Sequence, residues 1–151
     1  MPKRFVIDTG LPGTVSGLHY PAKRNCADQT LLILAHGAGA SQDSEFMRCF
    51  ALGMAVRGID TVTFDFLYMS QGRRAPDSKS KLEATYLAAI KETQQTLPSM
   101  ASRLVIGGKS MGGRIASQII AADPSLKMKL TGLVFLGYPL HPPGRPRTKT
   151  R

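Results

Sequence analysis

Arg103-Leu104-Val105-Ile106-Gly107-Gly108-Lys109-Ser110-Met111-Gly112-Gly113-Arg114 decides how this chain is read. Its first half is a branched apolar run, which fits a strand buried on both faces. Its second half is rich in glycine. Behind it Ile115, Ala116, Ile119 and Ile120 fall on one face of a helix. A GxSxG pattern between a buried strand and an amphipathic helix is a nucleophile elbow. The serine is forced onto a sharp turn, and glycines two residues before and after it leave room for the backbone. The turn lifts the Ser110 hydroxyl above the C-terminal edge of the sheet, where the helix N-terminus favours developing negative charge. A Walker loop also ends in Gly-Lys-Ser, but it requires a glycine where this chain has Arg103. The plainer alternative is that the glycines serve only strand-to-helix packing.

The same alternation extends outward. Leu31 to Ala35 is a continuous apolar run that stops at His36-Gly37-Ala38-Gly39-Ala40. In a parallel sheet that loop lies beside the elbow. Its small residues can aim a backbone N–H at an oxyanion, Ala38 first and Gly39 close behind, with the Met111 N–H as the other donor. Read as a dinucleotide fingerprint, the loop fails at Gln42, where a third glycine or alanine is needed. His36 precedes the serine, where this topology does not supply a base, so it is expected to be structural or pocket-lining. Ser44 is placed to cap a helix whose apolar face is Phe46, Met47, Phe50 and Met54, closed by Arg57-Gly58. Thr61 to Phe66 reads as a second buried strand, Leu67 to Asp77 as a polar loop carrying Arg73 and Arg74, and Lys79 to Leu97 as a helix. Asp123-Pro124 ends the helix after the elbow, and Leu130 to Tyr138 reads as a fourth buried strand. Arg4 to Ile7 and Val15 to Tyr20 are outer strand candidates. Strand and helix alternate, which predicts an α/β fold: a mostly parallel sheet with helices on both faces.

At 151 residues the chain is one domain in length, and 42% hydrophobic with 20% charged residues is ordinary globular composition. No apolar run approaches a membrane-spanning length, and the N-terminus lacks the apolar stretch of a secretory signal. Cys26 and Cys49 make neither a disulfide framework nor a zinc cluster, so a cytoplasmic setting with no metal and no cofactor is expected. The net charge of +10 is the unusual number. Arg145, Arg147, Lys149 and Arg151 crowd the C-terminal end. Such a balance permits salt-sensitive contact with polyanions, but no basic stripe is interleaved with aromatics, so no specific nucleic-acid or membrane partner is expected.

Further blocks carry a resemblance. Leu34 to Gly39, Phe64-Asp65-Phe66-Leu67-Tyr68-Met69 with Arg73, Arg74 and Pro76, Gly107 to Arg114, and Gly137-Tyr138-Pro139-Leu140-His141-Pro142-Pro143 are the residues concerned. On these the chain resembles the α/β-hydrolases, close to the dienelactone-hydrolase-like group. More narrowly, it is similar to the family of bacterial α/β-hydrolase proteins, a testis-expressed hydrolase-like protein and a subunit of the NSL histone-acetyltransferase complex. The resemblance implies hydrolase machinery without naming a substrate, and some relatives are thought to be non-catalytic interaction domains. It makes Tyr68, Arg73, Arg74 and His141 pocket-lining candidates beside His36. A role for Arg73 and Arg74 in binding an acidic substrate is set against ordinary solvation of a loop charge pair.

That fold orders its triad as Ser, then Asp or Glu, then His. After Ser110 the sequence holds one acid, Asp123, and one histidine, His141. Asp123 falls at the foot of the elbow helix, away from the active edge, and His141 falls in a proline loop. The chain is therefore expected to be an incomplete, C-terminally truncated member: a hydrolase-like domain over 1–144 and a basic disordered tail over 145–151. The expected function is a serine hydrolase of a small ester or similar acyl substrate, with Ser110 as nucleophile. The alternative is a catalytically silent interaction protein. Prolines at 139, 142, 143 and 146 bar a further strand, so the last strand is expected to leave an apolar edge open to self-association, and the chain to be marginally stable.

Overall fold

The structure is a computed structural model, and it describes residues 1–23, 29–97 and 102–141. Cys26, Pro142 and the tail expected over 145–151 lie outside them. Two strands open the chain, β1 (Lys3–Asp8) and β2 (Thr14–Tyr20), paired antiparallel as a hairpin. Then come β3 (Thr30–Ala35), α1 (Glu45–Val56), β4 (Asp60–Phe64), α2 (Leu67–Ser70) and α3 (Lys79–Thr96). β5 (Arg103–Lys109), α4 (Met111–Ala122), α5 (Pro124–Lys129) and β6 (Gly132–Leu136) follow. The sheet order is β1-β2-β4-β3-β5-β6. β2 meets β4 antiparallel, and β4, β3, β5 and β6 run parallel. The α/β sheet with helices on both faces is as the alternation predicts.

β3 lies at the centre, and its alternate residues go to opposite faces. Leu31, Ile33 and Ala35 join Leu82, Tyr86, Ala89 and Ile90 of α3 and Ile115, Ala116 and Ile119 of α4 in the larger core. Leu32 and Leu34 meet Met47 of α1 on the other face. Burial on both faces explains why β3 is apolar without alternation. In register, Ala35 lies beside both Phe64 and Gly108, so the ends of three parallel strands form one edge.

Four local expectations are corrected. Leu67 to Asp77 is not simply a polar loop: Leu67 and Tyr68 are buried and form the short helix α2. Asp123-Pro124 ends α4 and also starts α5, because the Asp123 carboxylate accepts from the Ser125 and Leu126 N–H groups and proline fits the first helical position. The last strand is therefore short, five residues rather than nine, and Leu130 caps α5 instead. Nor is it buried: β6 pairs only with β5 among the described strands, and Leu133 and Phe135 are 37% and 44% exposed. On α1, Met47, Phe50 and Met54 of the expected face pack toward the core beside Ala51 and Ala55, while Phe46 turns outward to stack on Phe50 beneath the Lys109 ammonium. No helix among the described residues is long and apolar enough to cross a membrane.

Candidate active site

The turn between β5 and α4 is built as the GxSxG spacing requires. Ser110 has φ 50° and ψ −109°, a region that a side chain rarely adopts. Holding it there costs on the order of 1–3 kcal/mol, sustained only where the surroundings over-determine the backbone. Here they do. A Cβ at Gly108 would strike the Ala35 carbonyl and Gly112, and one at Gly112 would strike the Ala35 and His36 carbonyls. The glycines let the first turn of α4 rest directly on the end of β3. The Ser110 N–H donates to the Leu136 carbonyl at 3.3 Å, and its carbonyl accepts from the Arg114 N–H at 3.1 Å. The Ser110 hydroxyl makes no capping bond to the helix it precedes. It faces a cleft of about 620 Å³, lined among others by Ala38, Asp77, Met111, Arg114, Pro139 and His141.

The loop after β3 does lie beside the elbow: a Cβ at Gly37 would sit 3.8 Å from the Ser110 Cβ. Ser110, Met111, Ala38 and His141 thus share one cleft. Gly39 lies next door, lining with Ala38, Met69, Gly72, Arg73 and Arg74 a second hollow of about 420 Å³. Arg73 and Arg74 therefore flank the serine cleft without lining it. Arg73 is also engaged, donating to Asp77 Oδ1 at 2.7 Å and to Gln71.

Two candidates do not line a pocket. His36 is fully buried, beneath the loop. The Phe66 N–H donates to its Nε2 at 3.0 Å, so Nδ1 carries the proton and donates to the Gly37 carbonyl at 2.7 Å. Burial holds its pKa below the ordinary histidine value, against the opposing effects of the Gly37 bond and of Asp65. Tyr68 is also fully buried, and its hydroxyl donates to the Ala38 carbonyl at 2.9 Å. Apolar neighbours explain both positions, since each ring packs edge-on within one aromatic cluster with Phe66.

Some residues escaped the sequence. Gln42 is fully buried: its N–H donates to Asp65 Oδ1 at 2.9 Å, and its side-chain amide reaches Asp65 Oδ2 and Ser16. Asp65 thereby pins the chain leaving the loop after β3. No local pattern announces a buried glutamine, since its partners are far away in the sequence. Asp77, Lys79 and Arg114 join the cleft only because α3 and α4 run side by side. Among the described residues no group of three or more His, Cys, Asp or Glu side chains could hold a metal ion.

A match to the α/β hydrolase domain family spans residues 28–151, most of the chain. The chain belongs to that family. Solved structures agree on the fold. A serine hydrolase without a lid from Xanthomonas campestris superposes with a TM-score of 0.71 at 16% identity, over 89% of this chain and 60% of the other. For dienelactone hydrolase from Anabaena variabilis the values are 0.70 and 18%, over 91% and 64%. For an esterase from Pyrococcus furiosus they are 0.69 and 22%, over 93% and 52%. This α/β hydrolase chain thus spans between half and two-thirds of the length of these neighbours. No curated protein sequence matches it.

Proposed function

We propose that this chain is a serine hydrolase of an ester or related acyl bond, with Ser110 as nucleophile. The observation that carries the reading is the strained Ser110 backbone at the N-terminus of α4, its hydroxyl facing a cleft shared with Ala38 and Met111. Ser110 Oγ adds to the acyl carbon as its proton passes to water. The Met111 and Ala38 N–H groups hold the oxyanion. The acyl C–O bond then breaks, the alcohol leaves with a proton, and water releases the acid. We assign His141 to the cleft wall. Asp77, a carboxylate of that wall, accepts from the Tyr68 N–H and pairs with Arg73. Among the described residues no base is assigned, and reaction at Ser110 is expected to be slow but specific.

A fluorophosphonate probe tests this. Attack by Ser110 Oγ forms an O–P bond and expels fluoride, with the proton passing to solvent. Prolonged incubation should place the adduct on the tryptic peptide from Ser110 to Arg114, and Ser110→Ala should abolish it. Labelling spread over other serines would overturn the reading. Fast turnover of a p-nitrophenyl ester that depends on both Ser110 and His141 would make His141 the base.

The second reading is a silent interaction protein. The narrower kinship with the testis-expressed protein and the NSL-complex subunit rests on the sequence blocks, and it would favour this reading. A chain that binds no probe at Ser110 yet retains a folded cleft would support it.

A further inference from the structure

Gly37-Ala38-Gly39 is a loop of small residues whose backbone is free to rotate unless something fixes it. A trans peptide carries its C=O and N–H on opposite sides, and no cis bond occurs among the described residues. A carbonyl held inward therefore turns the next N–H outward. Two buried side chains do the holding. His36 Nδ1–H donates to the Gly37 carbonyl at 2.7 Å, which turns the Ala38 N–H outward. The Tyr68 hydroxyl donates to the Ala38 carbonyl at 2.9 Å, which turns the Gly39 N–H outward. A flip of the Ala38–Gly39 peptide would turn the Ala38 carbonyl oxygen toward the cleft, beside the Ala38 N–H. Oxygen lone pairs facing a developing oxyanion repel it.

We propose that Tyr68 is a positioning residue of the oxyanion loop, its hydroxyl holding the Ala38 carbonyl away from the cleft so that the loop presents amides to the acyl oxygen. This rests on the reading of Ser110 given above. Tyr68 is itself held at both ends. Its N–H donates to Asp77 Oδ2 at 2.9 Å, and the other oxygen of that carboxylate takes Arg73. The cleft wall and the oxyanion loop are thus tied through one residue. Burial first, then Asp77 and Asp65, push the phenol up to about 12, so it keeps its donor proton throughout the neutral range.

Phosphonylation of Ser110 by a fluorophosphonate, followed against probe concentration, separates rate from affinity. Tyr68→Phe keeps the ring and removes the hydroxyl. It should lower the maximal rate at least about tenfold and leave the half-saturating concentration within about twofold, since a donor acting mainly on the transition state is disturbed. Ser70→Ala removes hydrogen bonds within the same short helix and should leave both values unchanged. A wild-type rate in Tyr68→Phe overturns the assignment. So does an equal loss in Ser70→Ala, which would mark general damage to α2. A wild-type chain as inert as Ser110→Ala would instead bring down the reading of Ser110, and this assignment with it. Should Tyr68→Phe not fold, the wild-type adduct decides by NMR. The Ala38 amide should shift on phosphonylation while the Ala38 carbonyl carbon stays put; a carbonyl that moves as well overturns the assignment.

Discussion

Ser110 keeps a backbone angle that glycine would adopt without strain, which under the proposed function sets stability against chemistry at one residue. Ser110→Gly should relieve about 1 kcal/mol and raise the thermal midpoint by roughly 2–4 °C while abolishing labelling. A lowered midpoint would mean that the turn is not strained. His36 makes the opposite kind of demand. Its folded-state pKa lies below the ordinary value of 6.5, so the unfolded chain binds the extra proton first. Its contribution to stability is complete above about 6.5 and is lost as the pH falls below it toward the lowered value. The ring signals of His36 followed by NMR should therefore not titrate near 6.5, and a midpoint at or above that value would refute the burial argument. That Ser110, Ala38 and Met111 share one cleft was legible in the sequence, because motif spacing places them. The inward roles of His36 and Tyr68 were not, because direction into the core or the cleft depends on partners some thirty residues away.

At the scale of elements, α3 is tied to the sheet by one hydroxyl. Tyr86 is fully buried, its oxygen accepting from the Gly107 N–H at 2.9 Å and lying within reach of the Gly107 and Ile33 carbonyls. These groups stand on β3 and β5 just below the elbow. Tyr86→Phe keeps the ring but leaves the buried Gly107 N–H unpaired, which should cost about 1–3 kcal/mol. Denaturant unfolding with an unchanged slope would measure it, and a loss below about 0.5 kcal/mol would show that water or β3 takes over. The helical face of α3, Leu82, Tyr86, Ala89 and Ile90, could be read from its spacing, since burial against a sheet selects one stripe. On α1 Met47, Phe50 and Met54 follow the expected stripe and only Phe46 departs from it. Phe46 is apolar, but a neighbouring cation and a stacked ring satisfy it at the surface, and spacing alone does not register such company. Likewise Asp123-Pro124 signals a stop and a start with the same two letters, and only the hydrogen bonds of Asp123 separate the meanings.

At the scale of the molecule, the two edges of the sheet differ among the described strands. β1 ends one side with charged Lys3, Arg4 and Asp8, which discourage strand addition. β6 ends the other with Leu133 and Phe135 exposed, and Tyr138 and Leu140 follow in the same condition. We expect the chain to self-associate through that edge. Light scattering after size exclusion should report a species larger than one chain, and Leu133→Lys should shift it toward the monomer. A wild-type monomer that melts cooperatively would refute the expectation. The sequence by itself determined the alternation of strands and helices, the central place of the apolar β3 run, and the elbow, because each follows from local periodicity or from a spacing that backbone sterics impose. Only the tertiary structure decided what shares the cleft and what lies beneath it. Cleft and core are defined by which elements meet: α2 folding in as a buried turn rather than out as a loop, Gln42 closing on Asp65, and β6 lying at an edge where the same apolar letters stay exposed. Burial is a property of the neighbours, and the sequence names a residue's neighbours only along the chain.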